Sequence, residues 1–156
     1  MPSNHLQAFP PNQALAPFKP FIGTWNTVGS HPQIPKPIHG QTSFRWDDSG
    51  GFVVIRSHVD EDVGVPRGVA LIGSDDHLGT YAMIYFDSRG VSRIMHAAIE
   101  GNALRWWRSD PELSQRYRLE LSSDGRTIVQ TGEASRDGGV TWAKDLDQTY
   151  TKTKAP

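Results

Sequence analysis

"FIGTWNTVGSHP", residues 21–32, places a tryptophan between two glycines at the start of the first extended run. Glycine lets a strand bend where a side chain would block it, and tryptophan is a large side chain that stabilises a fold when it is buried. We therefore expect Gly23, Trp25 and Gly29 to have an architectural role. Burial of Trp25 would stabilise the fold by ~3 kcal/mol or more relative to alanine.

Turn signals follow this motif about every ten residues. Each combines Asp, Asn or Ser with Gly, which tolerates the positive φ of tight hairpin turns. The runs between them are rich in Val, Ile, Tyr, Phe and Trp, and consecutive hairpins without a long crossover favour an all-β, up-and-down antiparallel barrel. Ten strands are predicted, over 21–29, 39–46, 52–59, 66–73, 79–86, 91–99, 103–108, 115–121, 127–134 and 141–151.

The N-terminal residues 1–20 differ from the rest in their proline content. Prolines at positions 2, 10, 11, 17 and 20 prevent a long helix. The stretch "NQALAPF" is compatible with one helical turn before Pro17. We therefore predict a proline-rich lead-in over 1–20 and one β-barrel domain over 21–154.

Gly23 and Trp25 form a Gly-x-Trp that resembles the first-strand pattern of calycins, in which the Trp closes the floor of the barrel. Ten strands in hairpin order are similar to the nitrobindin and fatty-acid-binding-protein branch rather than to eight-stranded lipocalins. Residues 65–76, 85–96 and 135–152 also resemble segments of small bacterial barrels of this kind. The resemblance implies a lumen that binds a small, mostly hydrophobic molecule.

Nitrobindins bind haem, with a first-strand motif similar to Gly-x-Trp-x-Gly-x-Gly and a histidine ligand close to the C-terminus. Position 27 is threonine in this chain, and no histidine follows His96. We therefore assign no haem ligand and expect no cofactor, with haem as an alternative.

Polar residues in the middle of the predicted strands are the candidate ligand-binding groups, because alternate residues of a barrel strand face the lumen. His58 shares a strand face with Arg56, and His96 lies in a later strand. If these faces point inward, the side chains would orient a ligand in an apolar cavity. The alternative is that they face solvent. Arg93 lies on the face opposite His96, and we expect it on a solvated hairpin flank.

Aromatic residues complete the candidate site. Fatty-acid-binding proteins bind a carboxylate with inward arginines and a tyrosine, and the resemblance implies that role for Tyr81, Tyr85 or Tyr150. Of the adjacent tryptophans, Trp106 is assigned to the lumen and Trp107 to the outside, where exposure would favour a homodimer. The predicted ligand-binding residues are His96, His58, Arg56, Trp106, Tyr85 and Tyr150.

Two further segments are predicted around the cavity. Residues 30–40 contain three prolines and are expected as an irregular portal or lid, with His31 and His39 at its rim, or as a plain solvent loop. In the last strand, alternation places Leu146 and Tyr150 on one face and points Asp145 and Asp147 outward.

Composition excludes several classes of protein. Sixteen basic and 17 acidic residues give a net charge of −1, which argues against nucleic acid or an anionic membrane as the main partner. The absence of cysteine excludes disulfides and thiolate metal sites. No HExxH or His-x-His pair occurs, so no metal site is predicted, although His58, His96 and Glu133 would supply ligands if they converged. Without a signal peptide or an apolar run of ~20 residues, we expect a cytoplasmic protein.

Four functions remain open from the sequence. The first is a carrier or sensor of a small hydrophobic molecule, with a carbonyl or carboxylate group as its polar part. The second is an enzyme of the isomerase, cyclase or hydratase type that uses His96 or His58 as a general acid–base. The third is a haem protein, and the fourth is a filled barrel that acts only through protein contacts.

Overall fold

An all-β barrel accounts for most of the computed structural model, which describes residues 12–75 and 79–153. A single 3-10 helix, Gln13–Phe21, precedes the strands of the described chain. The strands are β1 Gly23–His31, β2 Ile34–Trp46, β3 Val53–Val59, β4 Gly68–Ser74, β5 Thr80–Asp87, β6 Ser92–Glu100, β7 Ala103–Arg108, β8 Ser114–Leu121, β9 Thr127–Ser135, β10 Ala143–Lys144 and β11 Asp147–Lys152.

The barrel is closed and antiparallel throughout. Consecutive strands from β1 to β9 lie side by side, β9 pairs with β11, and β11 pairs with β1. The two-residue β10 pairs with β9 alone and is the first part of the same last strand. The prediction of a ten-stranded up-and-down barrel is therefore confirmed.

Some of the predicted boundaries lie outside the described residues. These are residues 1–11 of the lead-in, positions 76–78 in the turn at 74–79, and the end of the chain from 154. The division into a lead-in over 1–20 and a domain over 21–154 therefore stays a prediction. No helix in the described part of the chain has the length and apolarity needed to span a bilayer.

The N-terminal helix closes one end of the barrel. Every third residue of a 3-10 helix lies on the same edge, and Leu15, Phe18 and Phe21 are buried along that edge in the main core cluster. The helix continues past the single turn expected before Pro17. Burial of these three side chains offsets the backbone hydrogen bonds that Pro17 and Pro20 cannot donate.

Trp25 lies directly above this helical floor. Its side chain is fully buried, and its indole N–H donates a hydrogen bond to the Phe21 carbonyl at 2.9 Å. Gly23 has a φ of +142°, a conformation that favours glycine, and it turns the chain from the helix into β1. The geometry agrees with the architectural role expected for this motif.

The opposite end of the barrel is open. In an up-and-down barrel alternate connections meet at one end, and here these are the connections after β1, β3, β5, β7 and β9. Each of them supplies residues that border a cavity in the lumen. The longest of these five is residues 60–67 between β3 and β4, where Val63, Val65 and Pro66 border the cavity.

The expectation of an irregular insert over residues 30–40 is wrong. β2 begins at Ile34, which pairs with His31, and Ile38 pairs with Gly29. The prolines at 35 and 37 are tolerated because β2 does not pair with β3 until Gly40, so this part of the strand is an edge. The segment is therefore a projecting hairpin with a tight turn, not a long loop.

A bulge interrupts the last strand and reverses its faces. Lys144 pairs with Glu133 and Gln148 pairs with Gln130, so three residues, 145–147, oppose two, 131–132. The extra residue shifts the alternation by one position. Asp145 consequently faces the lumen, and its expected outward orientation is wrong.

Candidate functional site

The lumen contains a cavity of about 580 Å³ that opens between the loops of the open end. Small-molecule sites typically measure ~300–1,000 Å³. Five residues from β3 to β7 give one side of the wall an apolar surface: Ile55, Ala70, Met83, Met95 and Trp106. The lumen is therefore not filled by side chains.

A chain of hydrogen bonds crosses the other side of the lumen. Arg93 Nη1 donates to Gln115 Oε1 at 3.1 Å. Gln115 Nε2 donates to the Tyr117 hydroxyl oxygen at 3.0 Å and lies 3.4 Å from Asp145 Oδ2. The Tyr117 hydroxyl donates to the same Oδ2 at 2.5 Å, and His31 Nε2 lies 3.2 Å from Asp145 Oδ1. Asp145 thus connects the lumen to the hairpin at the mouth.

The other lumen tyrosines also donate to protein acceptors. The Tyr85 hydroxyl donates to Asp87 Oδ2 at 2.8 Å, and the Tyr150 hydroxyl donates to Gln130 Oε1 at 2.5 Å. Arg89 covers Asp87 from the solvent side, with Nη2 at 2.6 Å from Oδ2. The Asp87 side chain is fully covered, so its charge is balanced by Arg89 within the protein.

Burial and these partners change the acidity of the tyrosines. Burial, followed by the hydrogen bond to Asp87, raises the pKa of Tyr85 to about 12. Burial and the Asp145 carboxylate raise the pKa of Tyr117 further, and burial raises that of Tyr150. The Arg89 guanidinium holds the pKa of Asp87 well below its usual range. At neutral pH the tyrosines are therefore neutral donors and Asp87 is a carboxylate.

Three of the six predicted site residues face the cavity, and a fourth, His58, borders its mouth. Trp106 lies 6.0 Å from the Tyr117 ring, measured between centroids, and Tyr85 and Tyr150 contribute from β5 and β11. The assignment of Trp106 to the lumen and of Trp107 to the outside is correct. A role of Trp106, Tyr85 and Tyr150 in binding a ligand stays a prediction.

The other three predicted residues point away from the lumen. His96 is exposed and stacks on Trp107 outside the barrel, with ring centroids 5.7 Å apart. Arg56 is exposed. His58 borders the mouth, but its ring is half exposed, with Nε2 at 3.6 Å from Asp60 Oδ1. Their inward orientation is wrong.

The same physical reason explains why His58 on β3 and His96 on β6 point away from the lumen. The face opposite His58 carries Val53 and Ile55, and the face opposite His96 carries Met95 and Ala97, all buried in the core. Burial of these apolar side chains outweighs any gain from a buried imidazole. The histidine general acid–base expected for the enzyme alternative is therefore outside the lumen.

Sequence reasoning missed the polar residues that do face the cavity. Arg93 was expected in solvent, yet it lies on the inward face of β6 with Met95. Gln115 and Tyr117 share the inward face of β8 with Leu119, and this regular alternation was a usable signal for them. Asp145 had no such signal, because only the bulge turns it inward.

Of the two histidines expected at the rim, only His31 lies there, and the expectation for His39 is wrong. His31 lines the mouth as expected, and its Nδ1 accepts the Gln33 amide N–H at 3.1 Å, so Nε2 carries the proton that faces Asp145. His39 lies outside the cavity lining and pairs with Glu61, with Nδ1 at 2.5 Å from Oε1.

Within the described residues, no histidine is free inside this cavity to serve as the haem ligand that the resemblance to nitrobindins implies. The histidines that border it in the described chain are His31, whose two ring nitrogens are both engaged, and His58, which faces solvent. No group of three His, Asp or Glu side chains within residues 12–75 and 79–153 could hold a metal ion. The suggested convergence of His58, His96 and Glu133 does not occur.

The outer wall carries an apolar patch over β5 and β6. Ile84 and Ile94 are paired across the two strands and are 41% and 79% exposed, and Phe86 lies next to them. His96 and Trp107 continue the patch on β6 and β7. The homodimer expected from an outward Trp107 stays a prediction.

Two solved structures are similar to this barrel. Rv2717c from M. tuberculosis superimposes with a TM-score of 0.66 at 14% identity, over 93% of this chain and 100% of that chain. The S-type phycobiliprotein lyase CPES from Guillardia theta gives a TM-score of 0.61 at 8% identity, over 89% of this chain and 92% of that chain. At these identities the likeness concerns the fold alone, a closed antiparallel β-barrel. No protein-family model and no curated protein sequence matches the chain.

Proposed function

We propose that this barrel binds a small, mostly hydrophobic molecule in its lumen, as a carrier or a sensor. The observation that carries the proposal is the cavity of about 580 Å³, closed at one end by the helix and open at the other. Its apolar wall from Ile55 to Trp106 would exclude water from the apolar part of a ligand, which is favourable by ~25 cal/mol per Å² buried.

The similar structures support this proposal at the level of architecture. One of them is a phycobiliprotein lyase, so a barrel with this architecture occurs in an enzyme. The closer likeness to nitrobindins and fatty-acid-binding proteins stays a prediction from the first strand. Because both ring nitrogens of His31 are engaged and the His58 ring is half exposed beside Asp60, the proposal includes neither haem nor a histidine base.

A matched pair of substitutions tests whether the lumen is the site. Ala70 faces the cavity and is 4% exposed, whereas Ala82 on the neighbouring strand is exposed on the outer wall. Ala70→Phe should fill the lumen and weaken binding of the neutral dye N-phenyl-1-naphthylamine by roughly tenfold or more, equivalent to ~1.4 kcal/mol. Ala82→Phe adds the same ring outside and should leave the affinity unchanged. Dye fluorescence titrations measure both.

Thermal unfolding of each variant checks that it is folded. If Ala70→Phe fails to fold, Ala134→Phe at the mouth replaces it, since Ala134 lines the cavity near its opening. The proposal is wrong if the wild-type protein shows no saturable dye binding, or if the lumen variant binds as tightly as the Ala82 variant.

A further inference from the structure

The outer wall of the barrel carries a row of aliphatic side chains that crosses four neighbouring strands. In register from β3 to β6, its members are Val54, Leu71, Ile84 and Ile94. The first two are half-buried and the last two are exposed. Phe86, 47% exposed, lies beside this aliphatic row on the outer face of β5. A contiguous apolar surface that a folded protein leaves exposed marks a site of contact.

Two arginines adjoin the aliphatic row where it begins. Arg45 on β2 is in register with Val54, and Arg56 follows Val54 on the outer face of β3. Both side chains are exposed, and neither has a hydrogen bond or an ion pair within residues 12–75 and 79–153. Arginine is enriched at protein interfaces, where its planar fork binds carboxylates.

The outer wall around β7 and β8 balances its charges differently. Each arginine there is paired with a glutamate at 3.1–3.3 Å: Arg105 with Glu100, Arg116 with Glu133 and Arg118 with Glu120. The aliphatic row and its two arginines include no carboxylate. We propose that this face docks an amphipathic helix of another protein, with its apolar stripe on the aliphatic row and its carboxylates on Arg45 and Arg56.

Strand pairing favours a helix over an added strand. β3, β4, β5 and β6 each pair with a neighbour on both sides, so none of them offers a free edge to a partner strand. A contact with this face is therefore made through side chains. Four strands place the ends of the row roughly 14 Å apart, which corresponds to about nine residues of α-helix.

Charge separates this occupant from two others. Two copies of the barrel packed face to face would cover the aliphatic row, but they would leave Arg45 and Arg56 of each copy without a counter-ion. An anionic membrane attracts clusters of about four to eight basic residues, whereas this face has two unpaired arginines on a chain with a net charge of −1. A helix with acidic residues beside its apolar stripe satisfies both parts of the face.

Two synthetic peptides of about 18 residues test the inference with the intact protein. They share one leucine stripe at helical spacing and differ only in the residues beside it, which are glutamate in one and lysine in the other. We expect the glutamate peptide to bind at least ~10-fold more tightly in fluorescence anisotropy titrations. The difference should shrink in about 1 M salt, because exposed charges are then screened.

Matched substitutions separate the apolar and charged parts of the face. Ile94→Ser should weaken binding of the glutamate peptide by ~10-fold or more, whereas Val129→Ser, at a residue 52% exposed on β9, should leave it unchanged. Arg56→Gln should reduce the preference for glutamate over lysine. Arg118→Gln, which removes a paired arginine from the other part of the wall, should preserve it. Thermal unfolding checks that each variant is folded.

Several outcomes would overturn the inference. Equal binding of the two peptides does so, as does binding that Ile94→Ser leaves unchanged. Sedimentation of the wild-type protein with vesicles of phosphatidylcholine and phosphatidylglycerol, without peptide binding, would assign the face to a membrane. A dimer in light scattering that Ile94→Ser dissociates would assign it to a second copy. Displacement of the neutral dye by the glutamate peptide would place the peptide in the lumen, and absence of dye binding alone contradicts only the proposed function.

Discussion

The closed and open ends of this barrel use buried polar groups in different ways. At the closed end, the Trp25 indole donates to the Phe21 carbonyl and the Tyr81 hydroxyl donates to the Ala14 carbonyl at 2.8 Å. Neutral side chains there bind the backbone of the helix. At the open end, Tyr117 donates to a carboxylate that belongs to a network of side chains.

This difference indicates that the closed end contributes mainly to stability and the open end mainly to binding. Side chain to backbone bonds at the closed end fix the helix on the apolar core, so they stabilise the fold. Charged groups such as Arg93 and Asp145 are costly in a partly buried lumen, and their net contribution to stability is small. Such groups with perturbed neighbours concentrate at functional sites. Substitutions at the two ends should therefore affect different measurements.

The largest effect is expected at the closed end. Trp25→Ala removes a fully buried indole and should lower the free energy of unfolding by about 3–5 kcal/mol. Trp107→Ala removes the same side chain from the partly exposed outer wall and should cost much less. Urea unfolding of both variants measures the difference, and equal losses would contradict the contrast between floor and wall.

An intermediate effect is expected at Gly132, which supports the open end. A Cβ at this position would lie 2.6 Å from Tyr117 Cε1 and 2.7 Å from the Leu146 carbonyl oxygen. Gly132→Ala should therefore displace the Tyr117 ring, weaken binding of the neutral dye in the lumen and cost about 1–3 kcal/mol of stability through overpacking.

Gly73→Ala is the control for this substitution. Gly73 also lies within a strand, but a Cβ there meets nothing within 4 Å, so stability should stay the same or rise slightly. If the two alanine variants unfold at the same urea concentration, Gly132 does not position Tyr117.

The smallest effect at neutral pH concerns the tyrosines, whose pKa values are raised at both ends. A raised pKa in the folded state contributes stability that is complete below pH ~10 and is lost as pH rises through the folded value. Stability should therefore fall from pH ~10 to about 12, the pKa of Tyr85. Tyrosinate absorbance and circular dichroism measure this loss.

The two ends should also differ in this titration. Burial alone raises the pKa of Tyr81, whereas Asp87 adds to burial at Tyr85. Tyr85→Phe should accordingly remove more of the alkaline loss of stability than Tyr81→Phe. The reverse order would show that the carboxylate at the open end does not control this proton.

The sequence by itself determined the barrel. Turn signals with Gly and Asp, short alternating strands and the Gly-x-Trp of the first strand are local patterns, and each acts through backbone conformation within a few residues. Alternation alone also assigned Trp106 to the lumen face of β7.

Only the tertiary structure decided which polar groups face the cavity. Arg93 and His96 lie on opposite faces of one strand, and the side with Met95 and Ala97 is inward because the whole barrel core is packed there. Asp145 enters the lumen through a bulge that depends on pairing with β9. Residue spacing within one strand does not contain this information, because a shift of one residue in pairing exchanges its two faces.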